Sequence, residues 1–124
     1  MSPMVQTLMV AALGLLGVLC RYGLDTSLKD LSFPWSTLIA NLSGAFLAGV
    51  IYAYASTRGI SQSLQLGLLV GFCGGYTTFS AMTLQSLQLI EKGRIELAML
   101  YLLGSPLLGL AMVALPVLLV KRFL

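Results

Sequence analysis

Histidine is absent from the 124 residues, and the four carboxylates, Asp25, Asp30, Glu91 and Glu96, fall in loops or at the ends of apolar runs. That distribution removes the usual base of a nucleophilic triad and nearly every ligand a transition metal draws on. It also leaves no carboxylate or histidine inside the apolar runs, where proton-coupled transport needs a titratable group. What those runs do carry is a set of uncharged donors: Thr37, Asn41, Ser43, Thr77, Thr78, Ser80, Thr83, Gln85, Ser86, Gln88, Tyr101 and Ser105. Donors of this kind can replace the hydration shell of a small anion one bond at a time, whereas a ring of lysine or arginine would hold it too firmly to release. Phe79 follows directly on the Gly-Thr segment, and an aromatic edge is electropositive and can face an anion. One phenylalanine is equally ordinary packing. Neutral-donor binding of a small anion, without an enzymatic step, is the chemistry these residues offer.

The elements that must position them are hydrophobic helices. The chain is 58% hydrophobic and 9% charged, with a mean hydropathy of +0.96, whereas a soluble domain carries roughly a quarter charged residues to clothe its core. It therefore reads as one all-α transmembrane domain over residues 1–124. A hydrocarbon core of about 30 Å takes roughly 20 helical residues, and four such windows lie near residues 4–24, 35–56, 62–90 and 95–119. The first has no basic residue before it and no small-residue cleavage site after it, so it reads as a span and not a removable signal. Pro34-Trp35 suits a helix start, with proline in the first turn and an indole at the interface.

Within the second window, Gly44 and Ala48, and Ala45 and Gly49, are spaced for close helix approach. The third is long and interrupted: Gly67, Gly71, Gly74 and Gly75 precede Tyr76-Thr77-Thr78-Phe79-Ser80. Adjacent glycines and threonines disfavour continuous helix, predicting a break near Gly74–Thr78. Broken helices at membrane depth are where ions are coordinated; the alternative is a glycine-lined packing seam. In the fourth window Pro106 withdraws the amide that would bond the Leu102 carbonyl. Tyr101 and Ser105, four apart, share a face beside it, as a polar contact for a ligand or as satisfied packing.

The formal charge is +3, but Arg21, Lys29, Arg58, Lys92, Arg94, Lys121 and Arg122 are scattered, and a nucleic-acid partner would need a clustered basic face. Cys20 and Cys73 sit inside apolar runs and read as small buried hydrophobes, not a disulfide. Four spans place Arg58, Lys121 and Arg122 on one side of the membrane and Arg21, Lys29, Lys92 and Arg94 on the other. Orientation follows an excess of Lys and Arg on the cytoplasmic side, and three against four is no excess. Such a chain can insert both ways and pair with itself antiparallel. Four short helices are too little protein to enclose a pathway alone, so copies must associate.

Taken together, Gly17 to Arg21-Tyr22, Thr37-Leu38 with Asn41 and Gly44 through Gly49, and above all Gly74-Gly75-Tyr76-Thr77-Thr78-Phe79-Ser80 resemble the small fluoride channels called Fluc or CrcB, nearly end to end. The resemblance implies a passive fluoride channel that exports fluoride and relieves its toxicity, as a multi-pass protein of the bacterial inner membrane in contact with lipid. It implies an antiparallel homodimer with two pores, and a structural sodium ion at the dimer centre held by backbone carbonyls of Gly74 and Thr77. By the same carry-over Asn41 is the pore asparagine, Phe79 the first pore phenylalanine, and Thr37, Ser80, Tyr101 and Ser105 belong to the polar track. Arg21 has a structural or vestibule role.

Three positions depart from the family, which usually has threonine, phenylalanine and then glutamate where this chain has Ala81, Met82 and Gln85. Met82 is three residues from Phe79 and shares its face, so a polarizable thioether is expected to line the wall in place of a second ring. Gln85 keeps a donor while removing a negative charge, which favours an anion if the position faces a vestibule. These departures also suit one subunit of a heteromeric fluoride channel. A small dual-topology multidrug transporter has similar size and helix count, but requires an embedded carboxylate that the first window lacks.

Overall fold

Each span starts and stops on local chemistry. In the computed structural model, which describes residues 2–29 and 31–123, helix α1 runs Pro3–Ser27, its proline in the first turn and its first amides capped by the Ser2 hydroxyl, which accepts from Val5 N at 3.2 Å. Helix α2, Trp35–Thr57, begins one residue later than the proline-in-the-helix reading, with Pro34 as the residue before it. Gly59, at φ 77°, turns the chain out after α2. Ser61 then caps α3, Gln62–Leu66, by accepting from Leu64 N. Asp30 lies outside the described residues.

The third span, Gln62–Glu91, breaks within the expected Gly74–Thr78 stretch, at its threonines. The glycines do not break the helix. From Gly67 to Cys73 it widens to π geometry, and a short α4, Gly74–Tyr76, follows. The break comes at Thr77 and Thr78, both extended, with ψ of 158° and 122°. Helix α5, Phe79–Glu91, restarts there, capped by the Thr78 hydroxyl accepting from Ala81 N at 3.2 Å. It ends on Gly93 at φ 77°, with Arg94 N donating to Leu89 O across the turn, the bond that closes a glycine-terminated helix.

The glycines instead form the seam that was the alternative reading. A Cβ on Gly17 would stand 2.3 Å from the Phe72 carbonyl, one on Gly71 would stand 2.7 Å from the Val10 carbonyl, and one on Gly75 would stand 2.6 Å from the Gly14 carbonyl. Helix α1 thus lies backbone to backbone on the widened segment and α4, a contact only glycine permits.

Helix α6, Ile95–Phe123, runs through Pro106 and Pro116 without interruption. It packs along α2 and against α5, with Gly49 of α2 meeting the Val113 carbonyl and Pro116. A small core of Met82, Leu89, Ala98 and Tyr101 joins α5 to α6, with Phe33 set edge-on to Tyr101. All four spans are long and apolar enough to cross a membrane, and their ends fall within a few residues of the windows read from sequence, α1 and α6 running longest past them. Cys20 is exposed and Cys73 buried, both free.

Candidate functional site

The interruption at Thr77–Thr78 is held open by one side chain. Asn41, from the middle of α2, accepts from Thr78 N through Oδ1 at 2.7 Å and donates from Nδ2 to Thr78 O at 3.1 Å. In a continuous helix Thr78 N would bond the Gly74 carbonyl and Ala81 N the Thr77 carbonyl. Here the first amide goes to Asn41 and the second to the Thr78 hydroxyl. The carbonyls of Gly74 and Thr77 are the two that lose their helical donors to side chains. Thr77 itself turns its hydroxyl back to Cys73 O at 2.8 Å. Backbone oxygens freed at a helix break are of the type that hard cations take as ligands.

Around the break lies a groove of about 440 Å³ that draws together Asn41, Gly74, Thr77, Phe79, Met82 and Ser105, with Gly44, Ala45 and Ala48 forming its α2 wall. The small residues of α2 therefore serve the groove as well as packing: Gly44 lets Thr77 and Tyr76 approach, since a Cβ there would fall 2.3 Å from the Thr77 methyl. Phe79 and Met82 share the groove face as their spacing requires, yet unequally. Phe79 is 74% exposed along the open side, whereas Met82 is 5% exposed and belongs to the core beneath it.

Beyond Met82 the polar side chains continue inside the molecule. Ser105 donates to the Tyr101 carbonyl, one turn back, and both are buried. The Tyr101 hydroxyl donates to Gln85 Oε1 at 2.9 Å, with the Thr37 hydroxyl, 1% exposed, against it. Gln85 in turn lines a second hollow of about 280 Å³ at the end of the bundle, beside Lys29, Lys92, Ser36 and Gln88. Neutral polar side chains thus stand at the groove, in the buried interior and at the second hollow, which Asp25 lines together with Lys29 and Lys92. Ser80 stands outside both hollows, exposed, its hydroxyl 3.4 Å from that of Thr78.

Arg21 touches neither hollow directly. It pairs with Asp25 at 3.4 Å, and Asp25 accepts from the Ser36 hydroxyl at 2.9 Å, tying the end of α1 to the start of α2. Reading the sequence as isolated windows missed Asp25 and Ser36; the four-residue spacing of Arg21 and Asp25 was the available signal. It also missed Thr78 as the partner of Asn41, a bond spanning 37 positions that no local pattern announces.

Residues 8–117 match the family described as CrcB-like protein, Camphor Resistance (CrcB). Three curated relatives are each named fluoride-specific ion channel FluC. The one from Methylobacterium sp. (strain 4-46) is 40% identical over 97% of this chain and 99% of its own length. One from Thermus thermophilus is 41% identical over 86% of this chain and 88% of its own. A third, from Beijerinckia indica, is 45% identical over 77% and 80%.

Proposed function

The chain belongs to the CrcB-like family, and we propose that, like the relatives named for fluoride, it is a fluoride-selective channel and not an enzyme. It sits as a multi-pass protein in the bacterial inner membrane and lets fluoride leave the cell passively. The observation that carries this reading is the set of uncharged polar side chains gathered between the two hollows, Asn41 and Ser105 at the groove, Tyr101 and Thr37 buried within, and Gln85 at the second hollow.

Fluoride is small and strongly hydrated, so a path that admits it must replace water bond for bond. Asn41 has a second Nδ2 hydrogen left after bonding Thr78, and the hydroxyls of Ser105, Tyr101 and Thr37 can rotate. The edge of Phe79 and the thioether of Met82 complete the wall without fixed charge. Larger anions, whose hydration is cheaper to lose, gain nothing from such spacing and find the buried Met82 in the way.

The active form is an antiparallel pair of copies with two pores. The groove is open along Phe79, and a second copy supplies the missing wall. At the centre of the pair the carbonyls of Gly74 and Thr77 from both copies would hold a structural sodium ion, which neutralises converging oxygen dipoles. Arg21 serves the fold through Asp25, and Gln85 serves the second hollow.

Purified protein in liposomes tests this: fluoride efflux should far exceed chloride efflux. No fluoride flux, or equal flux of both, overturns the reading. A chain that conducts only when made together with a second homologue would assign it to the heteromeric form instead.

A further inference from the structure

Helices α2 and α6 run in the same direction and in register. Thr37 meets Tyr101 and Gly49 meets Val113 at one constant interval in sequence, the interval that also separates Asn41 from Ser105 across the groove. Carried to the ends of the two helices, it sets Arg58 level with Arg122, with Lys121 next to it. All three are exposed. The one ion pair among the described residues, Arg21 with Asp25, is at the opposite end of the bundle. Glu91 and Glu96 stand at that opposite end too, close in sequence to Lys92 and Arg94, so the charges there are mixed. Among the described residues, the Arg58 end carries cations alone.

The groove occupies one flank of the α2–α6 seam, where Asn41, Gly44 and Ala48 face it. At about 3.6 residues per turn, Phe46, Val50 and Tyr54 fall on the other flank of α2, and Leu115 and Leu119 on the adjoining flank of α6. All five are exposed. Tyr54, four residues before Arg58, shares its face, at the depth where tyrosines meet lipid headgroups. The Arg122 guanidinium lies 5.8 Å from the centre of the Phe123 ring. An apolar flank that ends in unpaired cations matches acyl chains beneath a negative headgroup.

We propose that this outer flank binds an anionic phospholipid, its phosphate held between Arg58 and the Lys121–Arg122 pair and its acyl chains laid along Val50, Tyr54, Leu115 and Leu119. Guanidinium groups take phosphate oxygens through paired N–H donors, and a basic residue just beyond a span end favours an anionic membrane surface about fivefold. The site depends on the four spans and not on fluoride, so a chain that passed no fluoride would keep it. In the antiparallel pair proposed above, each leaflet receives one such end.

Trp35 is the single tryptophan and begins α2 at the mixed end, so the wild-type chain and a Trp35→Phe/Tyr54→Trp variant report on the two ends separately. Each is placed in phosphatidylcholine bilayers containing either brominated phosphatidylglycerol or brominated phosphatidylcholine, and quenching of the indole gives the relative binding of the two lipids. At position 54 the anionic lipid should be preferred about fivefold, and at Trp35 it should not be preferred. Adding Arg58→Gln, or Lys121→Gln with Arg122→Gln, to the position-54 reporter should bring the ratio close to one, because both helices contribute to the phosphate site. An unchanged ratio in either variant, or an equal preference at both ends, overturns the proposal. Relief of the quenching by glycerol phosphate would make this a site for free anions and overturn the lipid reading. No quenching by either lipid at position 54 would mean that protein covers the flank, which overturns it as well.

Discussion

Asn41 satisfies both backbone groups of Thr78 and still has one hydrogen left for the groove, so its structural and conductive roles share a single amide. Asn41→Asp replaces the Nδ2 donor with an oxygen facing the Thr78 carbonyl and sets a negative charge beside the groove. Flux measured in liposomes should disappear, and stability should fall by about 1–3 kcal/mol because buried polar groups lose their partners. Retained flux would remove Asn41 from the pathway. Met82 separates the two contributions differently. Met82→Leu conserves volume and should cost less than about 1.5 kcal/mol by thermal unfolding in detergent, while removing the polarizable sulfur that faces the groove. Fluoride flux should fall severalfold with stability little changed. Unchanged flux would make Met82 a steric lining only. The family's aromatic ring at this position was legible as missing from the sequence; that its replacement would be buried at 5% while Phe79 stands 74% exposed was not, because helical spacing gives a shared face but not depth.

Among the elements, the third span shows how far local pattern reaches. Its glycines and threonines lie in one string, and propensity alone assigns both to a break. In the structure the two residue types divide the work: glycines bring α1 within contact of the backbone, and threonines interrupt the helix with their own hydroxyls and Asn41 as substitutes for the lost ladder. That division depends on the neighbour α1, which no window of the third span contains. It yields a paired test. Gly17→Ala places a methyl 2.3 Å from the Phe72 carbonyl and 2.9 Å from Tyr76 N, backbone atoms that cannot swing aside. The unfolding free energy should drop by about 1–3 kcal/mol. Gly104→Ala, where a Cβ meets nothing within 4 Å, should be neutral or stabilise by about 0.5–1 kcal/mol, since alanine favours helix over glycine. Equal effects of the two substitutions, measured by thermal unfolding, would mean the seam is not tight.

Over the whole molecule, the four spans carry Arg58, Lys121 and Arg122 to one end and Arg21, Lys29, Lys92 and Arg94 to the other. Arg21 is ion-paired with Asp25, but acidic partners contribute little to orientation, so the count stays at three basic residues against four. With so little preference, a small addition of charge should decide the orientation, because the excess of Lys and Arg near the span ends sets topology. Two lysines added beside Arg58 should drive that end to the cytoplasm in nearly every copy, and two added beside Lys92 should do the reverse. Each population alone then contains one orientation, and an antiparallel pair cannot form from it. Fluoride resistance of a sensitive bacterial strain should be lost with either biased form expressed alone and restored when both are expressed together. Cysteine labelling from outside the cell would confirm the two orientations. Full resistance from one uniformly oriented form would rule out the antiparallel pair, and the open groove along Phe79 would then need its second wall from a parallel neighbour.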